Sequence, residues 1–226
     1  MSEILDVLES LMLFYQDNFP DEVNSFFPGL PREQVISMFS DRSLPCPNEI
    51  LDLYTWRNGT SSGFSSFYGL PPEFYFMPLE EVMAIYDEYN TPDNLVCLNT
   101  IDTDYGPDNI QNALADIGID ENHRMIHLVD AQESQFYSVV ITAESTYVFL
   151  YMDEGDQKDL CFQSLTSMMQ TIGASYQEGA YTIREDGGLA LDPALFKQIW
   201  ERYNPLLVQG PSAELVDRYL DAELET

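Results

Sequence analysis

Two runs of β-branched and aromatic residues, Phe136 to Thr142 and Tyr147 to Met152, stand four residues apart. No other stretch of the chain constrains the fold as much. Such runs favour a pleated surface, and so short a link pairs them antiparallel, because parallel neighbours need a long crossover. Arg124 to Asp130 reads as an adjoining strand, and Phe74 to Met77, Leu95 to Leu98 and Tyr181 to Ile183 read as shorter ones.

On either side of this β-rich middle the apolar period changes from two to that of a helix. Ile4, Leu8, Leu11 and Tyr15, joined by Leu5 and Met12, predict an N-terminal helix within residues 1–20 that stops before Phe19-Pro20. Pro31 suits the first turn of a second helix carrying Val35, Met38 and Phe39, and Pro47 that of a third carrying Ile50, Leu53 and Tyr54. Asn58-Gly59 follows, two residue types that tolerate the left-handed conformation in which helices end. Leu79, Val82, Met83 and Tyr86 predict a fourth helix. Phe162, Leu165, Met169 and Ile172 predict a fifth, closed by Gly173. Asp192-Pro193 is an N-cap followed by a first-turn proline, opening a helix with Leu195, Phe196, Ile199, Trp200 and Tyr203. A further helix is expected over about 211–223. Residues 99–122 read as a long acidic connection with a helical turn at Ile110 to Ile117, and Gly63 to Tyr68 as a loop. Helices, then strands, then helices argue for one α+β domain over residues 1–226, with a mostly antiparallel sheet flanked by helices.

Charge is the unusual part of the composition. Thirty-nine Asp and Glu face nine Lys and Arg, a formal net charge of −30. Binding to nucleic acid needs Lys and Arg against phosphates, and anionic membranes ask the same, so both are disfavoured as partners, whereas a basic protein is favoured. No Lys or Arg lies between Arg57 and Arg124, a span that holds Glu80, Glu81, Asp87, Glu88, Asp102, Asp104 and Asp108. These acids are the candidate docking residues; the competing reading is a solvated surface. High net charge favours a monomer, while apolar faces on the terminal helices allow a weak homodimer. Cys46, Cys97 and Cys161 are odd in number and form no CxxC pair, which points to reduced, buried thiols and a cytoplasmic location. Acids occupy the N-terminus where a signal peptide needs basic residues, and no apolar run is long enough for a membrane span.

Catalytic and metal motifs fail on context. Gly59-Thr60-Ser61-Ser62-Gly63 has the G-x-S-x-G spacing of a nucleophile elbow, with His123 or His127 as the available base. That motif needs a strand before the serine and a helix after it, and here a helix precedes and a Gly/Ser loop follows. His123 and His127 lack the Glu of a zincin pair and fall on a predicted strand, where residues four apart are distant. Asp102-Thr103-Asp104-Tyr105-Gly106-Pro107-Asp108 departs from a calcium loop, with Pro107 where Gly is needed and Ala113 where a bidentate Glu is needed. Asp153, Glu154, Asp156 and Asp159 read as a solvated loop leaving a strand. No phosphate loop, dinucleotide fingerprint or paired-cysteine zinc site is present, so neither catalysis, cofactor nor metal is expected.

The segment Leu44-Pro45-x-Pro47-x-Glu49-Ile50-Leu51-x-Leu53-Tyr54-x-Trp56-x-Asn58-Gly59 resembles the SUKH superfamily, the Smi/Knr-type proteins. So do an aromatic strand running into Pro78-Leu79-Glu80-Glu81 and a later hairpin followed by a helix; together these cover residues 25–205. The acidic stretch 99–122 and the extreme charge depart from many members. The resemblance implies an α+β, non-enzymatic binding domain. Many bacterial members look like immunity proteins that neutralise toxins, often nucleases, and eukaryotic members look like regulators. Within the motif Leu44, Pro45, Tyr54, Trp56, Asn58 and Gly59 are expected to serve mainly the fold, with Tyr54 and Trp56 packed and Asn58 and Gly59 turning the chain.

Overall fold

A computed structural model describes residues 2–61, 75–89, 118–119, 123–130, 135–142, 146–152, 157–184 and 189–208. The expected strand at 95–98, the turn at 110–117, the helix at 211–223, the loop at 63–68, and Asp102, Asp104 and Asp108 lie outside the described residues, as do Asp153, Glu154 and Asp156.

The elements run α1 (Glu3–Asn18), α2 (Pro20–Val23), β1 (Phe26–Pro28), α3 (Arg32–Ser40), α4 (Asn48–Trp56), β2 (Arg57–Thr60), β3 (Tyr75–Phe76) and α5 (Leu79–Tyr89). They continue β4 (Arg124–Asp130), β5 (Gln135–Ile141), β6 (Thr146–Met152), β7 (Gln157–Phe162), α6 (Leu165–Glu178), β8 (Tyr181–Ile183), β9 (Leu189–Leu191), α7 (Pro193–Tyr203) and α8 (Pro205–Val208). This is an α+β fold. Its main sheet has the order β3-β4-β5-β6-β7, every neighbour antiparallel. The pairs β1-β2 and β8-β9 form two small antiparallel sheets.

The expected hairpin is the centre of the sheet. Its register, Phe136 opposite Tyr151 and Val140 opposite Tyr147, places Tyr137, Val139, Leu150 and Val148 on one face. Leu53 of α4 and Leu165, Met168 and Met169 of α6 line the same small apolar cavity as Tyr137, Val139 and Val148, so α4 and α6 cover this face. The α1 stripe Ile4, Leu8, Leu11, Met12 and Tyr15 is buried, and α1 and α7 both pack on α6. Each such apolar side chain contributes about 1.5–3 kcal/mol on burial, which is why the fold tolerates so acidic a surface.

Two polar nodes fix how α6 sits. Ser164 caps it, accepting from the Ser167 N–H, and the Glu49 carboxylate accepts from the Thr166 N–H at 2.9 Å and from the hydroxyls of Thr166 and Thr146. At the far side Asn204 is fully buried. Its Oδ1 accepts from the Gln163 N–H (3.0 Å) and the Ser167 hydroxyl (2.9 Å), and its Nδ2 donates to the Trp200 carbonyl (2.9 Å).

Several expectations are corrected. Residues 57–60 are not a helix-ending turn: Arg57 leaves α4 extended and the four residues pair with β1, itself unforeseen. Phe162 ends strand β7 and does not open a helix, and Asp159 belongs to that strand, opposite Leu150, not to a loop. Gly173 does not close α6, which runs five residues further to Glu178 and is capped by Gly179, where φ is +85°. Gly173 instead sits where α6 meets α1.

Those two glycines give opposite expectations. A Cβ on Gly173 meets Leu11 Cγ at 3.6 Å, an ordinary contact, so Gly173→Ala is expected to stabilise by about 0.5–1 kcal/mol through helix propensity. Gly179→Ala forces an alanine into the left-handed region and is expected to cost about 1 kcal/mol. Urea unfolding of the two variants beside the parent checks both signs.

Candidate functional site

The Trp-x-Asn-Gly motif and the acids of α5 meet at one corner. Tyr54 is fully buried on α4 and its hydroxyl donates to the Met77 carbonyl at 3.2 Å. Trp56, also buried, donates its indole N–H to Glu9 of α1 at 2.9 Å, and packs edge-on to Phe26. The Arg57 guanidinium lies 5.1 Å from the Trp56 ring centre and donates to the Trp56 carbonyl. Leu44 is buried and Pro45 is exposed, ahead of the Pro47 that precedes α4.

Asn58 then does something its spacing did not announce. Its Oδ1 accepts from the Leu79 N–H (2.9 Å), the first N–H of α5, and its Nδ2 donates to Glu80 (2.9 Å). A side chain on β2 therefore caps a helix that starts 21 residues later. Gly59 holds the approach close. At φ +80° it lies so near β3 that a Cβ would stand 2.5 Å from Pro78 N and 2.7 Å from the Met77 carbonyl carbon. Thr60 completes the seam, donating to the Phe76 carbonyl.

α5 turns Leu79, Val82, Met83 and Tyr86 inward and leaves Glu80, Glu81, Asp87 and Glu88 exposed. Four of the seven candidate acids thus share one helix face. Three also carry internal bonds: Glu80 to Asn58, Glu81 from the Tyr75 hydroxyl at 2.8 Å, and Asp87 to Arg42 through both oxygens. A carboxylate has room for about four hydrogen bonds, so each keeps acceptor capacity toward solvent. Glu80 and Glu81 also sit in the first turn of α5, where the helix dipole favours negative charge.

The residues weighed for chemistry fall elsewhere. Ser61 follows strand β2, not a helix, so the strand that an elbow requires is present; its N–H donates to the Ser25 carbonyl. His127 is buried in β4, shares a 2.6 Å hydrogen bond with Ser138 on β5, and packs against Phe136, Tyr151 and Tyr89. The structure therefore joins His127 to Ser138, a partner that sequence spacing did not suggest. His123 precedes the same strand and is half-buried. Among the described residues no three His, Cys, Asp or Glu are grouped to hold a metal, and no helix is long and apolar enough to cross a membrane. Cys46 and Cys161 are free thiols, and burial pushes Cys46 up to about 11 against a smaller opposing pull from Arg32, which keeps it protonated. Compared with known proteins, the chain matches no family model and no curated protein.

Three phenols around the corner are shifted the same way. Burial, aided by Glu80 and Glu81, pushes Tyr54 well up; burial and the bond to Glu81 push Tyr75 up; burial raises Tyr86 against the opposing pull of Arg124. A raised phenol contributes stability that is complete below its unfolded value of about 10 and is lost as pH climbs through the folded value. Unfolding free energy is expected to fall above about pH 10, and less steeply in Tyr54→Phe. Urea titrations between about pH 9 and 12, with absorbance at about 295 nm for phenolate, measure both slopes.

The corner makes a second expectation. Asn58→Asp keeps the oxygen that caps α5 but sets a second carboxylate against Glu80. It is expected to cost about 1–2 kcal/mol near neutral pH and to recover as one of the pair takes up a proton in acid. Equal losses at neutral and mildly acid pH would show that the Nδ2 bond, not the charge, matters.

Proposed function

We propose that this chain is a SUKH-like, non-enzymatic domain that binds a basic protein, as an immunity protein neutralising a basic nuclease-type toxin by occlusion. The observation that carries the reading is the charge arrangement. Four exposed acids line α5; Arg42 offsets Asp87, and among the described residues no Lys or Arg forms an ion pair with Glu80, Glu81 or Glu88. A surface of that kind steers positively charged partners and repels nucleic acid and anionic lipid. The motif from Leu44 to Gly59 supports the family, because its residues build the corner that presents α5. Asp102, Asp104 and Asp108 extend the proposed docking set. A domain acting this way is cytoplasmic, needs no cofactor, and works as a monomer or weak homodimer.

The same surface would serve a regulator or scaffold of this fold, and one experiment separates the two. The chain is mixed with the product of a basic nuclease gene adjoining its own, and binding and nuclease activity are both read. Stoichiometric inhibition is expected, with an association rate that falls at least about tenfold between about 0.02 and 0.3 M NaCl. Glu81→Gln with Glu88→Gln is expected to slow association several-fold, and Ser61→Ala and Ser138→Ala to leave binding unchanged. Binding without inhibition favours the regulator; a rate indifferent to salt sinks the electrostatic reading.

A further inference from the structure

The helices of this chain end badly for their charge. A helix C-terminus is the negative end of its dipole and is stabilised by cations. The last turns of α1, α3, α4, α5 and α6 hold no basic residue. Asp17 lies near the end of α1, Asp87 and Glu88 near the end of α5, and Glu178 at the end of α6. Every one of these carboxylates adds to a dipole end of its own sign, within a chain of net charge −30.

Two arginines meet this conflict, at the ends of α5 and α6. Arg42, just past α3, donates Nη1 to the Met38 carbonyl in the last turn of α3 and clasps both oxygens of Asp87 in the last turn of α5. One guanidinium therefore serves two helix ends, and its side chain is only 23% exposed. Arg202, in the last turn of α7, donates to both oxygens of Glu178 at the end of α6, a pairing that also holds the Glu178 carboxyl below its ordinary range. Isolated surface ion pairs contribute little, but these are bidentate, and each faces a field set by many uncompensated acids.

We infer that the fold carries an ionic-strength-responsive device: the clasps Arg42–Asp87 and Arg202–Glu178 hold helix ends against the chain's own charge, and cations from solution take over where they do not reach. The Debye length shrinks from about 30 Å at about 0.01 M salt to about 8 Å at about 0.15 M, so repulsion between the acids fades over that range while contacts under 4 Å persist. The folded state is then tightest at moderate salt and loosens on dilution. This concerns the chain by itself and does not depend on the proposed partner.

Thermal unfolding of the full chain tests it at about 0.01 and 0.15 M NaCl, with sucrose at matched osmolality as the uncharged control. The parent is expected to gain at least about 5 °C with salt and clearly less with sucrose, which stabilises compact states only by exclusion from the surface. Arg42→Gln and Arg202→Gln are expected to lose more at low salt than at moderate salt. Asp17→Asn with Glu88→Gln, which removes charge from helix ends without touching either clasp, is expected to raise the melting temperature at low salt only. A melting temperature indifferent to salt overturns the inference, as does a rise matched by sucrose. An arginine variant whose deficit is the same at both salts, or that fails to fold at both, shows packing and not charge. Should Arg42→Gln fold only in moderate salt, the device is confirmed at its strongest point.

Discussion

The carboxylate of Glu49 joins three elements of this molecule, α4, β6 and α6. It leaves the first turn of α4, meets the hydroxyl of Thr146 at the start of β6, and accepts from the backbone and hydroxyl of Thr166 in the first turn of α6. Thr146 in turn accepts from the Leu165 N–H at 3.0 Å. Helix N-termini leave backbone donors without helical partners and favour negative charge, so one Glu both satisfies and stabilises the start of α6. Helix packing on a sheet is otherwise loose in sliding, because apolar contacts are non-directional. The clasp supplies the direction, and Asn204 repeats the service at the other side of α6 through Gln163 and Ser167.

With α6 fixed, the rest of the core follows from shape. α1 and α7 pack on α6, and the aromatic side chains Tyr15, Tyr176, Tyr181 and Phe196 run between them, with ring centres 5.0 to 6.0 Å apart. Trp200 is held to the sheet by its indole N–H on the Cys161 carbonyl at 2.8 Å. Such a core supports an acidic exterior only because apolar burial is insensitive to the charge outside it. The cost of the exterior falls on exposed helix ends, where a few arginines meet it.

How much of this was legible in the sequence depended on whether a signal was local. The β5-β6 hairpin was legible because both strands are buried on both faces along most of their length and so carry β-branched and aromatic runs, interrupted in β5 by Ser138. α1 and α7 were legible from apolar spacing, and the start of α7 from Asp192, whose side chain does accept from the Leu195 N–H. Strand β7 was not, because it lies at the sheet edge and opens with Gln157-Lys158-Asp159, which carries no alternation. β2 was not, because Arg57 to Thr60 is polar and ends in the residues of a turn; its extended form comes from β1 on one side and β3 on the other. Gly173 misled because glycine inside a helix resembles glycine after one, and only the α1 packing partner tells them apart.

The same distinction governs the candidate site. Asn58 and Gly59 were legible as residues of special conformation, and Gly59 has the positive φ that this implies. Their task was not legible, since capping α5 depends on a contact between segments far apart in sequence. That contact changes how the acids of α5 are to be understood. A run of glutamates on an isolated helix is a flexible, screened surface. Here the first turn is capped from β2, Glu80 is tethered to the cap, Glu81 to Tyr75, and Asp87 to Arg42. The acidic face is therefore held at its start by the Trp-Asn-Gly corner and at its end by a guanidinium. A face fixed at both ends loses less side-chain entropy when it meets cations than a free one, which is what preorganised recognition of a basic surface requires.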